Sequence, residues 1–177
     1  MNKEMLLSLI HKVIKLDRGG PESCIGFLLA VEDDFVTVLT EKEGVIYYKT
    51  QHIKSLTQDS KDGLNFDIEI PENLEFIQAK DFKSLLENIK YQWIRVNRGG
   101  PEKLEGVLED VSDDFVTIIL NEEIIRLSLF HIRSISYGVK VEKEKDEEKE
   151  SNENNKQKKE ERPSKRSSRS DTANEDE

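Results

Sequence analysis

Only one cysteine, Cys24, occurs in this chain, so neither an internal disulfide nor a cysteine-based metal site can form. A lone cysteine of this kind reads as a small buried or half-buried hydrophobe. Basic side chains are in deficit: 27 Lys and Arg stand against 37 Asp and Glu, for a net charge of −10. Gripping nucleic-acid phosphates needs clustered Lys and Arg, so nucleic acid is not the expected main partner. Long apolar runs are missing as well. The opening stretch from Met1 to Ile10 is briefly apolar and is cut by Ser8, His11 and Lys12. That is too short for a signal peptide or a membrane span, and it predicts a soluble chain made in the cytoplasm with no membrane partner. No nucleophile–base constellation, phosphate-binding glycine loop or His-Glu-x-x-His motif is found, and Gly-Gly-Pro is too short and rigid to cradle phosphates. The expectation is a protein that is not an enzyme and uses no cofactor and no metal.

What the chain does contain is a repeat. Arg18-Gly19-Gly20-Pro21-Glu22 returns 80 residues later as Arg98-Gly99-Gly100-Pro101-Glu102. At the same spacing Gly26 matches Gly106, and Asp33-Asp34-Phe35-Val36-Thr37 matches Asp113-Asp114-Phe115-Val116-Thr117. After a one-residue shortening, His52-Ile53-Lys54-Ser55 matches His131-Ile132-Arg133-Ser134. Two copies with so long a period make a tandem pair of small domains, not a solenoid.

Within the first copy, residues 2–9 read as a short helix capped by Asn2, with Met5, Leu6, Leu9 and Ile10 at helical spacing. Strands are expected over Lys12–Leu16, Ser23–Val31, Phe35–Leu39, Val45–Lys49 and His52–Thr57, with a corner at Thr50-Gln51. Gly26 inside a strand marks a bend or a close backbone approach. The second copy repeats the pattern, with Asp81 as helix cap and strands at 92–96 and near 103–111, 114–120, 123–128 and 131–136. One helix and five strands in so few residues are too small for a sandwich. A strongly bent sheet closing on itself is the economical way to remove edges, which predicts a small five-stranded barrel per copy. The expected organisation is a first repeat over 1–58, a linker over 59–79 with an extra alternating strand from Leu64 to Ile70, a second repeat over 80–138, and a tail over 139–177. The tail has almost no aliphatic residues, and so it is expected to be disordered.

The helix-plus-five-strand order, the glycine bends and the run from Gly106 to Val116 resemble the Sm-like fold. The implied architecture is mainly β: two tandem five-stranded Sm-like (SH3-like) barrels, each preceded by a short helix. A resemblance covering almost the whole chain is to the spore coat protein B family of endospore-forming bacilli. It rests on the doubled Arg-Gly-Gly-Pro-Glu, the His-Ile-Lys-Ser and His-Ile-Arg-Ser strands, Asp81-Phe82 and the terminal Ser/Lys/Arg segment. It implies a structural protein of the outer spore coat or exosporium, deposited by the mother cell and docking to other spore coat proteins. Family tails rich in Ser, Lys and Arg are substrates of a coat-associated protein kinase. The matching stub here holds Ser164, Ser167, Ser168 and Ser170 beside Lys165, Arg166 and Arg169. Phosphorylation would put roughly −2 charge on each serine. Sm-like barrels associate edge to edge, so the two copies are expected to pack as an internal pair, and self-association is a further expectation.

The candidate interaction loops are the two Arg-Gly-Gly-Pro-Glu turns, their arginines exposed or paired with a nearby carboxylate. His52 and His131 read as structural corner histidines, because a metal would need further ligands at fixed spacing. The Asp33-Asp34 and Asp113-Asp114 pairs read as turn formers and solvated charges. The rival function is an Sm-like RNA-binding regulator. Against it, the corners before the two histidines read Thr50-Gln51 and Leu129-Phe130, where the Sm-like RNA chaperone has a basic residue.

Overall fold

A computed structural model describes residues 1–58 and 74–137, together with 61, 64, 66 and 70. Residues 138–177 lie outside that range, and with them the expected tail and its four candidate serines. The chain from Met1 to Lys140 is one compact unit.

The first copy begins with a short helix, α1 (Lys3–Leu7), whose Asn2 cap accepts from the N–H groups of Glu4 and Met5 at 2.8 and 3.3 Å. Five strands follow: β1 (Val13–Leu16), β2 (Cys24–Val31), β3 (Phe35–Thr40), β4 (Gly44–Lys49) and β5 (Leu56–Thr57). The second copy runs α2 (Phe82–Asn88), β6 (Trp93–Val96), β7 (Leu104–Val111), β8 (Phe115–Leu120), β9 (Glu123–Ser128) and β10 (Ser134–Tyr137). Asp81 caps α2, accepting from the Ser84 N–H at 2.8 Å.

The fifth strands are shorter than expected. His52 and His131 belong to single 3-10 turns, Thr50–His52 and Leu129–His131, and strand pairing begins only at Leu56 and Ser134. Side chains account for this. Asp17 Oδ1 accepts from the N–H groups of Lys54 and Ser55, and Asn97 Oδ1 from that of Arg133, so these donors never reach a neighbouring strand. In the linker, Leu64, Phe66 and Ile70 are in no strand; the residues between them lie outside the described range.

A closed barrel in each copy is not what forms. Among the described residues, ten strands make one open antiparallel sheet in the order β5-β1-β2-β3-β4-β10-β6-β7-β8-β9. The fourth strand of the first copy pairs with the fifth of the second, Ser134 opposite Tyr48, Ile135 opposite Tyr47 and Ser136 opposite Ile46. The Lys49 N–H extends this join to the Arg133 carbonyl at 2.8 Å. Both copies carry a bulge at the same place, between Leu28 and Ala30 and between Leu108 and Asp110, which adds local twist.

Two cores lie against the sheet. One gathers Leu6, Leu9, Ile14, Leu28, Val36, Val38 and Tyr48. The other gathers Phe82, Leu85, Ile89, Ile94, Leu108 and Ile118, and also takes Phe35 and Tyr47 from the first copy. Successive side chains of a strand point to opposite faces, so Tyr47 and Tyr48 serve different cores. Cys24 is buried among the first, as expected of a small hydrophobe. Burial raises its thiol pKa to about 11, against the pull of the nearby Arg98 charge.

The bend glycines answer to close backbone approach. A Cβ at Gly26 would lie 2.5 Å from the Leu39 carbonyl oxygen and strike the Val38 side chain. At Gly106 it would lie 2.6 Å from the Ile119 carbonyl oxygen and 2.7 Å from Ile118 Cγ2. Gly19, by contrast, has nothing within 4 Å of such a Cβ. Gly106→Ala is therefore expected to destabilise the protein by about 1–3 kcal/mol through overpacking, and Gly19→Ala to leave stability within about 0.5 kcal/mol. Thermal unfolding of the two variants beside the parent checks the contrast.

Candidate interaction site at the paired loops

Each Arg-Gly-Gly-Pro-Glu loop leaves its strand through a residue at positive φ, Asp17 at 52° and Asn97 at 54°. Asp and Asn tolerate this region better than other side chains. Gly20 and Gly100 then turn the chain at φ 89° and 90°. Asp17 and Asn97 also bind the corner before the fifth strand. Tyr48 donates its hydroxyl to Asp17 Oδ2 at 3.2 Å, and Asn97 Nδ2 donates to the carbonyls of Glu102 and His131 at 3.0 and 3.3 Å. Both residues are buried.

The β4–β10 join brings the two loops together, and they do not play the same part. The Glu22 carboxylate, 4% exposed, accepts from the Arg98 N–H at 2.9 Å, the Gly99 N–H at 3.3 Å and the Ser134 hydroxyl at 3.0 Å. Arg98 forks onto Glu43, with Nε to Oε2 at 3.0 Å and an Nη nitrogen to Oε1 at 2.9 Å. Its other Nη donates to the carbonyls of Glu22 and Ser23 at 3.3 and 2.6 Å. Planar two-point pairing of this kind is the strong form of an ion pair, and both side chains are largely out of water, at 15% and 22% exposure. Burial alone would lower the Arg98 pKa; the bond to Glu43 and the charges around it more than offset this and raise it. Gly99 lies so close to Pro21 that a Cβ there would strike the proline ring.

The same residue types elsewhere in the repeat are left in water. Arg18, Glu102 and Glu122 are exposed, and Ser55 is half-buried where Ser134 is 1% exposed. Sequence reasoning found the two loops but missed Asp17, Asn97, Glu43 and Ser134. The legible signal was an Asp or Asn directly before each Arg-Gly-Gly.

The remaining candidates fall around the join. Asp33 pairs with Lys3 at 2.7 Å and Asp113 with Lys83, both exposed and worth little. Asp34 is half-buried and accepts from the Phe82 N–H at 2.7 Å, so it receives the start of the second copy's helix. His52 lies edge-on to Phe130, and its pKa is lowered by burial first and then by the charge of Lys49. The Lys49 ammonium donates to the Leu129 carbonyl at 3.0 Å and sits over the Phe82 ring. Among the described residues no three or more His, Cys, Asp or Glu are grouped to hold a metal, and no helix is long and apolar enough to cross a membrane.

No family model matches the chain. It is 36% identical over 138 residues to spore coat protein B of Bacillus subtilis strain 168. The match takes in 78% of this chain and spans 36% of that protein's length.

The asymmetry of the loops has a measurable consequence. Glu22→Ala leaves three donors without an acceptor, the Ser134 hydroxyl buried and the Arg98 and Gly99 N–H groups partly so, and is expected to cost about 3 kcal/mol. Glu102→Ala, at the matching exposed position, should stay within about 0.5 kcal/mol. Urea unfolding midpoints of the two variants measure the difference directly.

Proposed function

This chain is a spore coat protein B-like protein, and from that premise we propose that it is a structural component of the outer spore coat or exosporium, made in the mother cell and acting by docking to other coat proteins rather than by catalysis. The observation that carries the reading is the 36% identity to spore coat protein B over most of the chain. The described residues support it in kind: buried polar groups are spent on joining loops and strands, which suits a rigid docking body. We read each copy as an Sm-like unit, supported by its helix followed by strands in the spatial order fifth-first-second-third-fourth. The Arg-Gly-Gly-Pro-Glu loops are the docking elements in this reading, and Ser164, Ser167, Ser168 and Ser170, set among basic residues, are substrates for a coat-associated kinase.

Fractionation of a sporulating culture tests the assignment. An antibody to this protein should detect it in spore-surface extracts, first late in sporulation, and not in the cytosol of growing cells. Signal in growing cells and none in spore extracts would overturn it.

A further inference from the structure

On the outer face of the second copy one row of apolar side chains crosses four strands. Trp93 of β6 stands opposite Val107 of β7, Val107 opposite Ile119 of β8, and Ile119 opposite Ile124 of β9. Side chains alternate between the faces of a sheet, so this row points away from the core that holds Ile94, Leu108 and Ile118. Water reaches it: Trp93 is 43%, Ile119 37% and Ile124 62% exposed, and Val107 is half-buried. The first copy has the same row, Val13, Phe27, Leu39 and Val45, again in register. There Leu39 is 6% exposed and the other three are half-buried. The chain joining the copies reaches that face. Phe66 stacks on Phe27 with ring centres 6.5 Å apart, and the Ile77 N–H donates to the hydroxyl of Tyr47, two residues beyond Val45, at 2.9 Å. The sequence around Phe66 reads Leu64-Asn65-Phe66-Asp67-Ile68-Glu69-Ile70, apolar at every second place. Residues 138–177, which follow β10, contain no Phe, Trp or Tyr, and so they hold no counterpart of Phe66.

We infer that the Trp93–Val107–Ile119–Ile124 row is a docking site for an extended segment of another protein, one with an aromatic residue among aliphatic residues at alternate positions and basic residues between them. The first copy supplies the template for the apolar half of that description. Four strands spaced about 4.8 Å apart make a row about 14 Å long, the reach of four or five extended residues. Charge complementarity supplies the other half. Glu109, Glu122 and Glu123, next to the row in sequence, are exposed, with Arg126 the exposed cation beside them, and the chain as a whole carries −10. The segment around Phe66 is held by its covalent connection whatever its charge; a separate partner gains from opposite charge. An apolar patch with a polar rim is the usual mark of an interaction surface, and tryptophan is prominent among the residues that anchor one. The inference rests on the docking reading and gives it a surface other than the Arg-Gly-Gly-Pro-Glu loops. Its test uses purified protein, so its failure leaves the spore assignment standing.

Trp93 is the only tryptophan of the chain, so its fluorescence reports this row and not the matching row of the first copy. The probe is a synthetic peptide with the sequence of residues 63–70 carrying Asn65→Lys, Asp67→Lys and Glu69→Lys. Added to the full chain, it should shift the Trp93 emission to the blue and reduce its quenching by acrylamide, both saturably. The same peptide with Phe66→Ala should bind about tenfold more weakly, and Ile124→Gln in the protein should also weaken binding. The peptide with the unaltered sequence of residues 63–70 should bind more weakly than the lysine form, by a margin that narrows as salt is raised. Four outcomes would each overturn the inference. Trp93 is already blue-shifted and quencher-resistant in the dilute chain alone, which means the chain's own residues cover the row. Its emission shifts with protein concentration without peptide, which means a second copy does. The lysine peptide leaves the emission unchanged up to millimolar concentration. The Phe66→Ala peptide, or the Ile124→Gln protein, binds as well as the parent, which means unspecific adhesion. Circular dichroism melts establish that Ile124→Gln folds; if it does not, Ile119→Gln on the same row takes its place.

Discussion

A carboxylate almost sealed from water, Glu22, ties the two copies of this chain together. Taking a charge out of water costs several kcal/mol unless hydrogen bonds replace the lost hydration. Glu22 recovers three of them, two from the backbone of the second loop and one from Ser134. Those donors exist only when the second loop is turned through Asn97 and Gly100 and β10 is seated on β4. The charge thus enforces one register: a slip by a single residue would strand it against the wrong groups. The Arg98–Glu43 fork beside it has the same property, since planar pairing at two points tolerates little displacement.

Packing follows the same join. Because β4 alternates its side chains between two faces, Tyr48 closes the first core and Tyr47 enters the second. Phe35, Tyr47 and Phe82 meet edge-on, with ring centres 6.0 Å apart for each Phe35 pair. Burying side chains of this size stabilises by about 1.5–3 kcal/mol each, and the first copy's share of that burial is realised against the second copy's helix and β10. The consequence is visible in the counterparts. Phe115 is half-buried where Phe35 is sealed, and Arg126, in water, takes the place of Tyr47. Each copy has its own hydrogen-bonded strands, but the first cannot complete its surface alone.

Much of this was legible in the residues. Alternation and turn chemistry located both helices and the strands to within a few positions, and the repeated Arg-Gly-Gly-Pro-Glu marked the loops that meet. The close approach at Gly26 and Gly106 was readable as well, because a glycine inside an apolar run has few other reasons to be there. Two things were not readable. The fifth strands are shorter than their sequence implies, since their apolar and polar pattern is that of a strand, while the competing acceptors, Asp17 and Asn97, lie more than thirty residues away. The difference between the copies was also hidden. Glu22 and Glu102 follow the same four residues in sequence; the pairing of β4 with β10 decides that one is buried and the other is not. Local propensity carries no information on which edge a strand will use.

That difference separates what folding requires from what it does not. The folded unit uses Glu22, Glu43, Arg98 and Ser134, and removing any of them would leave buried groups unpaired. It makes no comparable use of Arg18, Glu102, Glu122 or Ser55. Substitutions at exposed positions such as Arg18, Glu102 and Glu122 generally change stability by less than about 0.5 kcal/mol, so the fold exerts little pressure on which residues stand there. Where the second copy has no fold-imposed need to match the first, it has in fact departed from it at Arg126 and Ser128. Yet Arg18, Glu102, Glu122 and Ser55 keep the charge and hydroxyl of their buried counterparts. Stability does not account for that pattern. Descent of both copies from one repeat does: the residues are shared, and the pairing of β4 with β10 decides which copy's set is taken out of water.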